Sequence, residues 1–461
     1  MKKKLLSLML CVVMGSTLFA GCGKTGDSAN TSSSQSKGKQ KITIAYNDSG
    51  STGKNGYMYK WIMQTYNAWD KKDQVELKLQ PIVSNDSDYF TKVETEMQDK
   101  STTPDLFFED TFQLNTDVAA GYVADLTSDT ANWSDWKNSF VDSLKEGVKG
   151  SDGKTYAVPV STDVRGLWYN KDVMQKAGLG RDWQPNSWQD ILTACAAIKK
   201  NCASDVVPIW FACSNTEAEA TSMNTFEMLL YGTSDKLVDD KTGVWNVSGQ
   251  GIKDSLGFIK TCKDKGYMGT DSEIFDASDY QYANKYMSTG KLGIYLNGSW
   301  GYADYLQKGS YPMQGYTDAT LTQGLGYAQM PKQNGDGYVT MSGGWSWAVA
   351  KKSSNHELSA EFIKELMKSD NYINYLVGSG NLSVRNDMDK YDEYKSKLYV
   401  NEDAKMLETA NFRPHNEKYS KVSSYIYNMV DTIVRNGTDS GSAMSDFKNS
   451  VTTVVGKDKV K

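Results

Sequence analysis

Residues 104 to 110 read Pro104-Asp105-Leu106-Phe107-Phe108-Glu109-Asp110. The stretch reads as a strand over Asp105 to Phe108 that ends on an acidic pair. Working outward, similar β-rich runs cover Lys41 to Tyr46, Val75 to Val83, Tyr156 to Val160, Val207 to Phe211, Leu292 to Leu296 and Trp345 to Ala350. Between them, Met58, Trp61, Thr65 and Trp69, and again Leu358, Phe362 and Leu366, recur at helical spacing. Ser187 with Asp190, and Ser354 with Glu357, have the capping-box arrangement that starts a helix. Strands alternating with helices predict an α/β architecture, and such sheets bind ligands beyond the carboxyl ends of their strands.

At 461 residues the chain is long enough for a large core without disulfide or metal staples. Charged residues make up 23% and hydrophobic ones 39%, the balance of a folded soluble protein. A net charge of -5 gives no sign of a strongly basic nucleic-acid surface. Twelve Trp and 28 Tyr stand against 13 Phe and 2 His, so most aromatics carry a polar edge.

The amino terminus places Lys2, Lys3 and Lys4 before an apolar stretch from Leu5 to Phe19 and then Ala20, Gly21 and Cys22. That is a basic region, an apolar region and a small-residue cleavage site, the layout of an export signal over 1–21. The apolar stretch is short of the roughly 20 residues a spanning helix needs. Leu18-Phe19-Ala20-Gly21-Cys22 resembles the lipobox of bacterial lipoproteins, with Phe19 where leucine is usual, which implies a lipid on Cys22. Residues 23 to 40 lack large apolar side chains, so 22–40 reads as a lipidated cysteine and a flexible tether. Such a tether reaches roughly 25 Å.

The catalytic inventory is thin. His356 and His415 lie in no recognisable nucleophile or base setting, and GxGxxG, GxxxxGK[ST] and HExxH motifs are absent. Cys195, Cys202, Cys213 and Cys262 match no zinc spacing, and their disulfide pairing is open; Cys195 falls on the apolar side of a helix, as a buried free thiol would. We therefore expect no metal, no cofactor and no catalytic residue. The rival expectation is an exported glycoside hydrolase using two carboxylates, for which Glu109 and Asp110 are the best acidic pair. Adjacent strand residues point to opposite faces, which suits hydrogen-bond acceptors at a strand end better than two groups flanking one bond.

Tryptophans collect at strand ends: Trp168, Trp210, Trp300, Trp345 and Trp347, with Tyr46, Tyr169 and Tyr295. A single such ring is most simply core. Together they suit sugar rings, whose axial C–H faces pack on Trp or Tyr while Asp, Glu, Asn and Arg bond the hydroxyl rim.

Several blocks in order resemble the family 1 extracellular solute-binding proteins of bacterial ABC importers. They are Pro104 to Phe108 with Ala119 to Thr127, Tyr156 to Val160, Gly166 to Lys171, Pro185 to Asp190, Gly290-Lys291-Leu292-Gly293-Ile294-Tyr295-Leu296-Asn297-Gly298-Ser299-Trp300, and Gly343 to Val349 with the helix at Ala360 to Ile363. The resemblance implies an α/β, two-lobed periplasmic-binding-protein-like fold of type II kind, with a hinge crossed more than once and a helical C-terminal tail. Its first lobe would hold 41–158 plus 338–376, and its second 159–337 plus 377–461. It further implies a monomer that takes an oligosaccharide between the lobes and delivers it to permease subunits, held to the membrane by its lipid anchor; a non-sugar solute is the alternative. The family's binding positions fall on Tyr46, Asp48, Glu109, Asp110, Asp163, Arg165, Trp210, Trp300 and Trp345. Trp347 is added by its period-two spacing, and Arg385 matches with Ser383 in place of the family's proline.

Overall fold

Twelve strands build the sheets: β1 (Gln40–Asn47), β2 (Val75–Ile82), β3 (Leu106–Asp110), β4 (Ala157–Pro159), β5 (Arg165–Asn170), β6 (Val207–Trp210), β7 (Leu292–Gly298), β8 (Leu325–Ala328), β9 (Met330–Pro331), β10 (Tyr338–Ser342), β11 (Trp345–Val349) and β12 (Ala410–Phe412). They come from a computed structural model that describes residues 38–48, 53–239 and 241–461. The expected signal, Cys22 and the tether up to residue 37 lie outside the described residues. Residues Lys39–Lys461 form one unit. Among the described residues no helix is long and apolar enough to cross a membrane.

The first sheet has the order β2-β1-β3-β11-β4. β1 runs parallel to β2 and β3, whereas β11 runs antiparallel to β3 and β4. Every residue of β3 is buried, as a central strand covered on both faces requires. The helix Tyr57–Ala68 buries Met58, Trp61, Ile62 and Thr65 on one stripe. Trp61 packs against Tyr375 at 4.7 Å and Trp347 at 6.1 Å, and its indole N–H donates to Leu366 O at 3.2 Å.

The second sheet has the order β6-β7-β5-β8, and a small third sheet joins β12, β10 and β9. Residues 338–342, read from sequence into the first lobe, pair as β10 with β9 and β12. All seven strands read from the chain form. β5 is not among those runs and falls in the Gly166 to Lys171 block, while β8, β9, β10 and β12 escape a sequence reading because each is five residues or fewer and carries glycine, proline or polar positions.

Ser187 closes its capping box with Asp190 as expected. Ser354 does not: the helix starts at His356, and its N-cap is Asn355, whose side chain makes no cap bond. Asn355 instead donates to Lys41 O at 2.9 Å and to Asp105 at 3.1 Å, and Ser353 donates to the same Asp105 carboxylate. That carboxylate ties the turn to the start of β1 and overrides the local capping pattern. The four cysteines are free, with Cys195, Cys213 and Cys262 buried. The tail is helical over Tyr419–Asn436 and Ser440–Val455, and Ser423 and Asp431 bind it to Ser222 and to the Asn215 backbone.

The chain leaves the first sheet at 160–164 and returns to it at 343–344, and the segment 380–384 lies beside these two crossings. Thr162 and Leu382 exchange backbone hydrogen bonds, and the Thr162 and Ser342 hydroxyls meet at 3.0 Å. Gly344 has φ +153, and a Cβ there would stand 1.9 Å from Ser161 O. Gly344→Ala therefore forces the crossing strands apart and should cost at least about 2 kcal/mol. Gly437→Ala, at a helix end with φ +66 and open space around it, should cost only about 1 kcal/mol. Urea titration of both variants checks the ranking; equal losses would show that backbone angle alone, not the close approach, holds Gly344.

Candidate ligand cleft between the lobes

Asp163 lies in the first crossing and Arg165 immediately after it, at the start of β5. Asp163 accepts from Arg165 Nη1 and from Gly343 N at 2.9 Å, so it pins the second crossing to the first. Arg165 Nε donates to Asn224 Oδ1 at 2.8 Å, and its guanidinium lies 5.2 Å from the centre of the Trp300 ring. Its backbone exchanges bonds with the Thr340 hydroxyl at 2.8 and 2.9 Å. The Asp163–Arg165 pair, Trp300 and β10 are thus one cluster on the second-lobe side of the crossings.

A second arginine spans the lobes. Arg413, in the loop after β12, donates from Nη2 to Asp110 at 2.5 Å and to the Thr111 hydroxyl at 3.0 Å, and from Nη1 to Glu219 at 3.1 Å. Its guanidinium also covers the Phe112 ring at 5.1 Å. Glu219 accepts from Tyr419 at 2.9 Å and from Ser423, and the Tyr419 oxygen lies 2.6 Å from Glu227, whose protonated carboxyl donates to it. Burial raises the Asp110 and Glu219 carboxyls while Arg413 draws both down. Glu227 has no such cation in contact, and burial together with the charge of Glu219 pushes it up to about 8.

The sequence-predicted residues divide by position. Asp110, Asp163 and Arg165 are held in the networks just described, and Trp300 and Trp345 are half-buried beside them. Trp345 stacks on Phe108 at 4.9 Å with its plane 5° from parallel. Tyr46 and Asp48 are buried at the end of β1, where Asp48 accepts from Gly53 N at 2.8 Å and keeps one oxygen without a donor. Glu109 is 0% exposed, and neither of its oxygens meets an N–H or hydroxyl donor. Its neighbour is the Asp117 carboxyl, so the two can bond only by sharing a proton. Trp210 is enclosed in the second lobe, its indole N–H on Asp279 at 3.3 Å. Trp347 is enclosed between Trp61 and Phe108. Arg385 is occupied by Asp135, Asp387 and Met367 O and stacks on Phe140, away from the two arginine networks.

A cleft of about 110 Å³ opens beside Arg413. Its walls are Ser87, Phe90, Thr91, Glu94, Phe112 and Gln113 on one side, and Ala218, Glu219, Ser420, Ser423 and Tyr427 on the other. Small-molecule sites usually have about 300 Å³ or more, so the cleft is narrow in this conformation. Over residues 61–402 the chain matches the family described as bacterial extracellular solute-binding protein. The chain belongs to that family. A protein of Brucella abortus named only as a binding protein is 23% identical over 343 residues, 70% of this chain and 77% of its own length. The melibiose/raffinose/stachyose-binding protein MelE of Bacillus subtilis is 30% identical over 109 residues, 24% of this chain and 23% of its own. Maltose-bound MalE3 of T. maritima superposes with a TM-score of 0.76 at 19% identity, covering 90% of this chain and all of that one. The fold is thus the two-lobed α/β fold of solute-binding proteins.

The sequence reading found Asp110 but missed Arg413 and Glu219, which join it, and Glu227, Glu94 and Gln113 around them. Arg413 lies in the tail, Glu219 and Glu227 beside and within a π-helical segment (Thr221–Glu227), and Glu94 and Gln113 on or before short helices. No local pattern marks them; only a 300-residue separation closed by folding brings Arg413 to Asp110. Because the folded state holds Glu227 protonated to about pH 8 against an ordinary 4.5, its contribution to stability falls as pH rises between those values. Glu227→Gln removes that slope. Its urea midpoint should gain on the parent protein steadily from pH 5 to pH 8; a constant difference would mean that Glu227 is ionised throughout.

Proposed function

We propose that this protein is the membrane-anchored receptor of an ABC importer that captures an oligosaccharide in the interlobe cleft. The observation that carries the reading is the meeting of half-buried Trp300 and Trp345 with the Asp110–Arg413–Glu219 and Asp163–Arg165 networks where the lobes join. Flat rings for sugar faces and bidentate charged groups for hydroxyls come from both lobes, so one ligand satisfies them together only when the lobes shut. The sugars in the names of MelE and MalE3 support the same class of solute. The receptor acts as a monomer, with Cys22 carrying the lipid and the following residues serving as the tether.

A thermal-shift screen of oligosaccharides followed by calorimetry tests the ligand. A cognate sugar should raise the melting temperature and be recovered intact. Trp300→Ala and Trp345→Ala should each weaken it about tenfold, the loss expected of one stacking ring. Shortened sugars in the recovered material would convert the reading to a hydrolase, and silence of both substitutions toward every sugar would end the sugar assignment.

The anchor has its own test. Cys22→Ser should move the protein from the membrane fraction to the medium; retention at the membrane would refute lipidation.

A further inference from the structure

Glu94 on one wall of the cleft is the outermost of three carboxyls in a row. Glu94 stands on the helix Asp86–Met97, Asp117 on the helix Leu114–Ala120, and Glu109 on β3. Gln113 Nε2 reaches Glu94 at 2.5 Å and Asp117 at 3.0 Å, and Asp117 lies between Glu94 and Glu109, in hydrogen-bonding contact with both. Glu94 and Gln113 face the cleft. Behind them Glu109 and Asp117 are buried, at 0% and 1% exposure, and both Glu109 oxygens and Asp117 Oδ2 meet no protein N–H or hydroxyl donor. The charges bearing on the trio are those of acidic neighbours, Asp110 included. The nearby arginine is already shared between Asp110 and Glu219.

Six carboxyl oxygens therefore face a single amide donor. Buried carboxylates are costly without a countercharge, so the trio by itself keeps protons between its members. A hydroxyl brings one donor and no charge, whereas an ammonium brings three donors and the missing charge. A metal ion is the poorer match: among the described residues no group of three acidic, His or Cys side chains has the arrangement of a metal site.

We propose that this trio is a subsite for a protonated amine, entered at Glu94 and Gln113, and that the solute is an amino sugar or an oligosaccharide carrying a free amino group. The sugar half of the statement rests on the function proposed above; the amine half rests on the trio alone. On binding, the N–H bonds of the incoming R–NH3+ replace a shared O–H bond, and the displaced proton leaves to solvent.

The experiment uses the mature protein at pH 7 with three kinds of probe: neutral glucose trisaccharides of α and β linkage, the glucosamine trisaccharide, and spermidine as an amine without sugar. Calorimetry in phosphate and in HEPES counts protons released. The glucosamine trisaccharide should bind at least about tenfold tighter than its neutral counterpart and release about one proton. Glu94→Gln should bring that preference to within about twofold while leaving the melting temperature of the free protein within a few degrees, since Glu94 is only half-buried. If neutral and amino trisaccharides bind alike, and alike in Glu94→Gln, the amine subsite is wrong and the sugar reading stands. If spermidine binds with proton release and no sugar does, the sugar reading is wrong and the amine subsite stands. If neither amine binds nor releases a proton, the inference is overturned.

Discussion

Arg413 holds two buried carboxylates, Asp110 at the end of β3 and Glu219 on a wall of the cleft. Removing charges from water costs several kcal/mol each, and their attraction repays that only when the geometry satisfies all of them. One guanidinium shared by Asp110 and Glu219, with Thr111, Tyr419 and Ser423 taking up further bonding positions, meets most of that condition and leaves Arg413 Nε without an acceptor. The consequence is mechanical as well as electrostatic. Any opening of the lobes at this point must leave one carboxylate without its cation, so the tail segment after β12 is part of the lobe contact although it lies about 300 residues from β3 in sequence.

The crossings supply the complementary constraint. Three strands of backbone run together at Ser161 to Asp163, Gly343 to Gly344 and Leu382, fastened by main-chain and hydroxyl bonds. Glycine at 344 lets the backbones touch, so the segments that join the sheets pack closely at this point. A ligand can shift such a protein only by binding one state better than the other. Moving from about 1:99 to 99:1 closed takes roughly 5.5 kcal/mol of that preference, well inside the total of about 8.2 kcal/mol that micromolar binding represents.

The aromatic richness of the chain divides along the same boundary. Trp61, Trp210 and Trp347 are fully buried and serve the cores, with Trp61 and Trp210 each satisfying its indole N–H inside the lobe. Trp300 and Trp345 remain half-buried at the junction, one beneath Arg165 and the other on Phe108. Trp345 and Trp347 share a strand face, yet two residues along β11 separate a ring at the junction from a ring in the core.

The amino-acid sequence by itself determined the α/β alternation, the seven principal strands, the Ser187 helix start and the resemblance that names the family. These are local matters: hydrophobic period, capping chemistry and short motifs act within a few residues. The short strands and the false start at Ser354 were decided by partners from elsewhere in the chain, β9 and β12 for β10 and Asp105 for Asn355. Only the tertiary structure decided which polar residues are shared across the cleft. Arg385 looked like a binding arginine and is spent on Asp135 and Asp387, while Arg413 carries no local mark and joins the two lobes. The physical reason is that a charge acquires its role from the burial and the partners that folding gives it, and neither is encoded in its immediate neighbours.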